Sequence, residues 1–316
     1  MGYPRALTVN PEAPGFYHCM SRCVRRAWLC GEDPLSGRNF DHRRDWRERR
    51  LIDLSKSFAV GLYAWAVMSN HCHVVLRTDP KQPWRWSDEE VAMRWARLTR
   101  TLKAESESRV QARAHELLDQ PERLEELRHR LGSLSWFMRF LNECIARMAN
   151  VEDECTGRFW EGRYQCKVLL DEPGVLAAMA YVDLNPIRAG LADDLAGSDY
   201  TSMQRRLRDL AERPETGTEL LMAMEGEVSE EAPVITLANY IDLVDDIGRQ
   251  ARSEKRGRIG RAAPSALAGI RGSPQWWSSC AIGLERIFRT AVGTRTSLCL
   301  HAAATGRKWL WGSAAS

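Results

Sequence analysis

Apolar and polar residues alternate along three stretches of the chain and follow helical spacing along several others. Residues 15–21 (GFYHCMS) alternate aromatic, polar and apolar side chains and predict a strand. Residues 62–76 hold two apolar runs split by Ser69 and Asn70. They predict two strands meeting at a tight turn, or one long bent strand. Residues 157–170 (GRFWEGRYQCKVLL) alternate again, as a turn followed by a strand. Between these, residues 134–148 place Phe137, Leu141, Ile145 and Met148 on one helical face, with Ser133 or Ser135 available as a cap. The clearest helix begins at Asp171, an N-cap followed by Glu172 and Pro173 in a first turn that tolerates proline. That helix must weaken at Asn185, because Pro186 disfavours helical geometry in the residue before it.

The intervening segments set the organisation. Residues 31–39 are turn-rich, residues 41–56 are charged with a helix-like tail, and Asp79-Pro80 ends the second strand pattern. Residues 87–131 are rich in Glu, Arg, Ala and Leu, the composition of solvated helices, and carry no motif. We read about residues 82–132 as a helical insertion within a first domain spanning 1–200. Beyond Tyr200 the character changes to a charged helix at 203–212, an acidic linker at 225–231 and then a basic segment. This predicts a separate, mainly helical region over 201–316, a candidate accessory DNA-binding element.

Composition narrows the class. The 316 residues are 44% hydrophobic and 28% charged, which excludes wholesale disorder. No run of about 18 apolar residues is present, so no conventional membrane span is expected. The first residues lack the apolar centre of a signal peptide, and nine cysteines without a paired framework fit reduced thiols, so a cytoplasmic location is expected. Only six of the 45 basic residues are lysine. Arginine offers a planar fork for phosphates and bases, although a GC-rich genome produces the same bias. Residues 249–295 hold ten basic residues against two acids, a local +8 that leaves −5 for the rest of a chain totalling +3. Such a segment is a candidate phosphate-binding surface or a solvated helical face.

Two constellations carry candidate chemistry. In Asn70-His71-Cys72-His73, strand alternation projects His71 and His73 to one side, about 6.6–6.8 Å apart along the chain, where two imidazoles can converge on one metal ion. Cys72 then faces the core. Two half-buried histidines with no ligand are the plain alternative. In Tyr181-Val182-Asp183-Leu184-Asn185, the tyrosine and asparagine are four apart and share a helical face. A tyrosine is a poor nucleophile at its ordinary pKa of about 10 and needs a metal-polarised electrophile. The loop at 157–164 interleaves Arg158 and Arg163 with Phe159 and Trp160, which fits either a grip on single-stranded nucleic acid or aromatics packed into the core. His18 and Arg22 on the first strand could line the same site. Cys23 and Cys30 have no CxxC partner, so a zinc site is not expected.

The ordered blocks GFYHCMSR, AWAVMSNHCHVVLR, GRFWEGRYQCKVLL and AYVDLNPIRAGL resemble the single-tyrosine HUH transposases, and among them the REP-associated tyrosine transposases, over about residues 14–200. HUH denotes His, hydrophobe, His, and His71-Cys72-His73 fits it. The resemblance implies an α+β core, a ferredoxin-like or RRM-like antiparallel sheet backed by helices, with HUH on a central strand. It implies His71 and His73 as ligands of a divalent metal, Mg²⁺ or Mn²⁺, Asn185 as the third ligand, and Tyr181 as the nucleophile. His18, Arg22, Arg158, Trp160 and Arg163 are the candidate DNA contacts.

The implied reaction is cleavage and rejoining of single-stranded, hairpin-containing DNA, REP-like or at an element end, through a 5′-phosphotyrosine. No Walker loop is present, in keeping with chemistry that conserves bond energy without ATP. Two alternatives stand beside it: a non-catalytic, domesticated hairpin binder, and a hydrolytic metal nuclease in which water replaces Tyr181. Relatives of this kind include monomers and dimers, and the sequence carries no feature that decides between them.

Overall fold

A computed structural model describes residues 8–24, 30–32, 37–99, 106–226, 233–250 and 274–313. Its centre is a four-strand unit in the order strand, helix, strand, strand, helix, strand: β1 (Gly15–Arg22), α1 (His42–Ser55), β2 (Val60–Val67), β3 (His71–Thr78), α5 (Leu134–Glu152) and β4 (Gln165–Leu169). These strands lie side by side as β2-β3-β1-β4, every pair antiparallel. This is the ferredoxin-like arrangement, and the chain is α+β. The tight turn at Ser69-Asn70 separates β2 from β3, which resolves the two readings of residues 62–76 in favour of two strands.

Strand alternation gives the sheet two different faces. Tyr17, Cys19, Trp65, Val74 and Leu76 point to one face and pack under α1 and α5 with Leu51, Leu54, Phe137 and Leu141. The insertion between β3 and α5 covers the same side. It forms α2 (Asp88–Leu98), α3 (Glu107–Leu118) and α4 (Pro121–Leu131), in place of freely solvated helices. Each helix is two-sided, and Val91, Trp95, Val110, Leu124 and Leu127 join the core on that face.

The other face carries Val75 and Ala66 and is covered by α6 (Glu172–Asp183). All the residues of α6 after Glu172 are buried, which suits its run of small and apolar side chains. Asp171 caps it as expected, accepting a hydrogen bond from the backbone N–H of Gly174 at 2.9 Å. The helix breaks at Leu184, and Asn185 opens a separate single turn, α7 (Asn185–Arg188), with Pro186 in its first turn.

The segment beyond Tyr200 is not a separate region, contrary to the sequence expectation. It contributes α8 (Ser202–Glu212), β5 (Glu225–Gly226), α9 (Leu237–Gln250), α10 (Pro274–Ile287), β6 (Ala291–Val292) and α11 (Arg295–Ala304). β5 extends the sheet beyond β2, and β6 pairs parallel with β4 at the opposite edge. Tyr240, Trp277, Leu284 and Phe288 pack into the core built around α6. Part of the expected acidic linker therefore forms a sheet edge. Much of the basic segment at 249–295, residues 251–273, lies outside the described residues. Trp276 and Trp277, its two tryptophans, are buried in the core and form no surface for stacking.

Candidate functional site

His71 and His73 lie on β3 facing α6, with ring centroids 4.9 Å apart, while Cys72 is buried toward the opposite face. The β1–β3 register sets Met20 opposite His73 and Arg22 opposite His71. His18 enters from β1 on the same side, its ring stacked at 5.1 Å on that of His73. Tyr181 descends from α6 onto this group, 5.7 Å from the His73 ring and 6.0 Å from the His18 ring. Three imidazoles and one phenol, from three elements, thus share a single point beneath α6.

Hydrogen bonds orient the rings. Nδ1 of His71 lies 2.7 Å from Oδ1 of Asn70. An amide oxygen only accepts, so Nδ1 carries the proton and Nε2 keeps its lone pair. Nδ1 of His73 lies 2.9 Å from Nε2 of His18. In the tautomer in which His73 donates, its Nε2 also keeps a lone pair, and that buried atom has no hydrogen-bond partner. Burial depresses the pKa of all three histidines: His71 falls to about 4, and His18 and His73 fall well below the usual 6.5. Neutral imidazoles with bare nitrogens are the form a metal ion requires.

His71 and His73 offer nitrogens of the kind a divalent ion binds. Asn185, buried at the start of α7, has an Nδ2 without a hydrogen-bond partner. Two imidazoles and an amide oxygen, completed by water, make a mixed nitrogen–oxygen set. No cluster of three or more His, Cys, Asp or Glu suited to a metal is present among the described residues.

Burial raises the Tyr181 pKa, and the nearby carboxylate of Glu285 adds to the rise. Arg188 opposes both. Its guanidinium lies 4.3 Å from the Tyr181 ring centroid and hydrogen-bonds the phenol. Sequence reasoning passed over Arg188, although a residue seven after Tyr181 falls on the same face two helical turns later.

It also missed Lys167 and Glu285. Lys167 is opposite His18 in the β1–β4 register and is buried. Glu285 comes from α10, its Oε1 3.9 Å from Nδ1 of His73, and its charge partly offsets the burial that depresses Lys167. The pairing of Lys167 with His18 follows from strand register. Glu285, far along the chain on a helix with no motif, gave no signal.

No protein-family model matches the chain, and no curated protein matches it. Among solved structures, that of a REP-associated tyrosine transposase bound to a REP hairpin aligns with a TM-score of 0.40 and 10% identity, covering 74% of this chain and 98% of that chain.

The remaining sequence candidates divide by burial. Arg22, Arg158 and Arg163 are exposed. Trp160 is not a stacking platform: it packs with Phe159, Cys23, Cys30 and Ile145, and its indole donates to the Asn142 carbonyl at 2.8 Å. His18 is 1% exposed and touches His73, so it acts through that ring and does not present a surface to DNA. Arg22 and Arg163 line a cleft of about 500 Å³ whose floor and wall include Lys167, Glu285, Tyr164, Phe288 and Arg289. No helix among the described residues is long and apolar enough to cross a membrane.

Proposed function

We propose that the chain is a metal-dependent transposase that cleaves and rejoins single-stranded, hairpin-containing DNA, with Tyr181 as nucleophile. The observation that carries this reading is the placement of the Tyr181 ring 5.7 Å from that of His73, with Arg188 against it. A tyrosine held for packing alone needs neither a cation on its phenol nor two oriented imidazoles beneath it.

His71, His73 and Asn185 hold the ion in this reading, and the ion supplies Lewis acidity toward a non-bridging oxygen of the scissile phosphate. His18 holds the His73 ring in place through its 2.9 Å contact. Arg188 stabilises the negative charge that Tyr181 Oη bears as it attacks. The Oη–P bond forms as the bond from phosphorus to the 3′ oxygen breaks. The phenolic proton passes to solvent, the departing 3′ oxygen takes one up, and a 5′-phosphotyrosine and a free 3′-hydroxyl result. Reversal by another 3′-hydroxyl rejoins the strand, so no external energy source is consumed.

The test is incubation with a hairpin-bearing single strand and Mn²⁺, followed by a denaturing gel. A covalent protein–DNA adduct, lost in Tyr181→Phe and with chelator, is the expected result. Cleavage without an adduct would identify a hydrolytic nuclease, and binding without cleavage a hairpin-recognition protein. Preference for duplex DNA would overturn the reading altogether.

A further inference from the structure

The cleft beside the histidines does not end at its own walls. Arg289 lines it, and the same guanidinium lies 4.2 Å from the ring centroid of Trp311. Trp311 is 46% exposed and Trp309 is 61% exposed, their rings 5.7 Å apart. Two large aromatic side chains left in water, side by side, are unusual for a surface with no partner. Leu310 between them is buried, which anchors the segment while both indoles stay outside.

The backbone holds this arrangement. Gly312 has φ +102°, a conformation other residues adopt with strain, and a Cβ there would strike the Phe288 ring. Phe288 in turn lines the cleft. The nearby Arg307 bonds to Thr290 Oγ1 at 3.3 Å, tying the segment to the turn before β6. The Trp pair is therefore pinned to the cleft and not attached by a loose tail.

Charge and shape together select the occupant. The cleft presents Arg22, Arg163, Lys167 and Arg289 against Glu161 and Glu285, a cationic surplus beside stacking surfaces. That combination, a basic groove ending on aromatic faces, suits the phosphates and unpaired bases of single-stranded nucleic acid. We propose that the single-stranded segment flanking the hairpin runs from the histidine–tyrosine centre along this cleft and stacks its bases on Trp309 and Trp311. The proposal rests on the reading of the site as a single-strand transferase, and it assigns the residues after 274 a share in gripping the substrate.

The test uses the full chain with chelator present, so that no chemistry intervenes. Fluorescence anisotropy compares a labelled DNA hairpin carrying a single-stranded flank with the same hairpin cut blunt. The Trp309→Ala/Trp311→Ala variant should lose the extra affinity conferred by the flank, about tenfold or more at fixed salt, and Trp309→Phe/Trp311→Phe should retain most of it. Trp84→Ala, an exposed tryptophan that does not line this cleft, should bind the flanked hairpin like the parent chain. Thermal melts of each variant separate lost contact from lost fold. An undiminished flank preference in the folded double-alanine variant would overturn the proposal. So would a wild-type dimer that the same variant dissociates, since the pair would then be a self-association surface. The two readings fail separately: a parent chain forming no covalent adduct, yet losing flank affinity without the tryptophans, sinks the transferase and keeps the track.

Discussion

Nε2 of His18 lies 2.9 Å from Nδ1 of His73, joining β1 to β3 across the face that α6 covers. The contact spans 55 residues of sequence and orients the His73 ring. Removing it without opening a cavity is possible with His18→Phe. The expected outcome is Mn²⁺ affinity weakened about 10–100-fold, as for other partners of metal-bound histidines. Isothermal titration of the DNA-free chain with Mn²⁺ measures this directly, and unchanged affinity would assign His18 to packing alone.

Arg188 offsets the burial of the Tyr181 phenol. Arg188→Ala should slow covalent adduct formation about 100-fold or more, the cost typical of removing one charge-stabilising donor from a reaction centre. Hairpin affinity should change far less than the rate. Single-turnover gels set against anisotropy separate the two effects.

Asp183 gives stability a distinct pH dependence. It accepts hydrogen bonds from Ser202 and Tyr240, each at 2.5 Å, yet burial raises its pKa from the ordinary 3.8 to about 6. The folded chain therefore holds a proton that the unfolded chain releases across roughly pH 4–6. Stability contributed by the neutral carboxyl is full below that window and is lost as pH rises through it. The loss amounts to about 3 kcal/mol at neutral pH. Asp183→Asn cannot ionise, so its stability relative to the parent should climb by about that amount between pH 4 and pH 7. Urea denaturation in chelator at the two pH values checks it; parallel curves would show that Asp183 titrates normally.

Gly174 tests whether the late segments belong to the core. A Cβ there would sit 2.7 Å from the backbone oxygen of Val292 on β6. Gly174→Ala should destabilise the fold by about 1–3 kcal/mol through overpacking. Were residues 201–316 a detached region, the same substitution in a helix would be neutral or mildly stabilising. Calorimetric melting distinguishes the two.

What the sequence made legible was local. The alternation around His71 and His73, the Asp171 cap and the proline that ends α6 depend on neighbours within a few residues, and each appears in the structure. Trp160 and His18 went astray because an aromatic or imidazole in a strand pattern looks the same buried or exposed. Their placement is decided by Asn142 and His73, far away in sequence. β5 and β6 are two residues each, too short for any periodicity, so the joining of the late segments to the sheet had no signature. The insertion was recognised as helical, but its buried tryptophan and leucines were outweighed by the surrounding charge.

Glu285 reaches the histidines from a helix made about a hundred residues after Tyr181. At translation rates of roughly 5–20 residues per second, that interval is on the order of 5–20 seconds. For that time a nascent chain carries both histidines and the tyrosine but lacks the wall formed by Glu285, Phe288 and Arg289. The cleft is therefore assembled last. A half-made chain carries the two histidines and the tyrosine without the wall beside them, so the cleft takes shape only once the last helices are made.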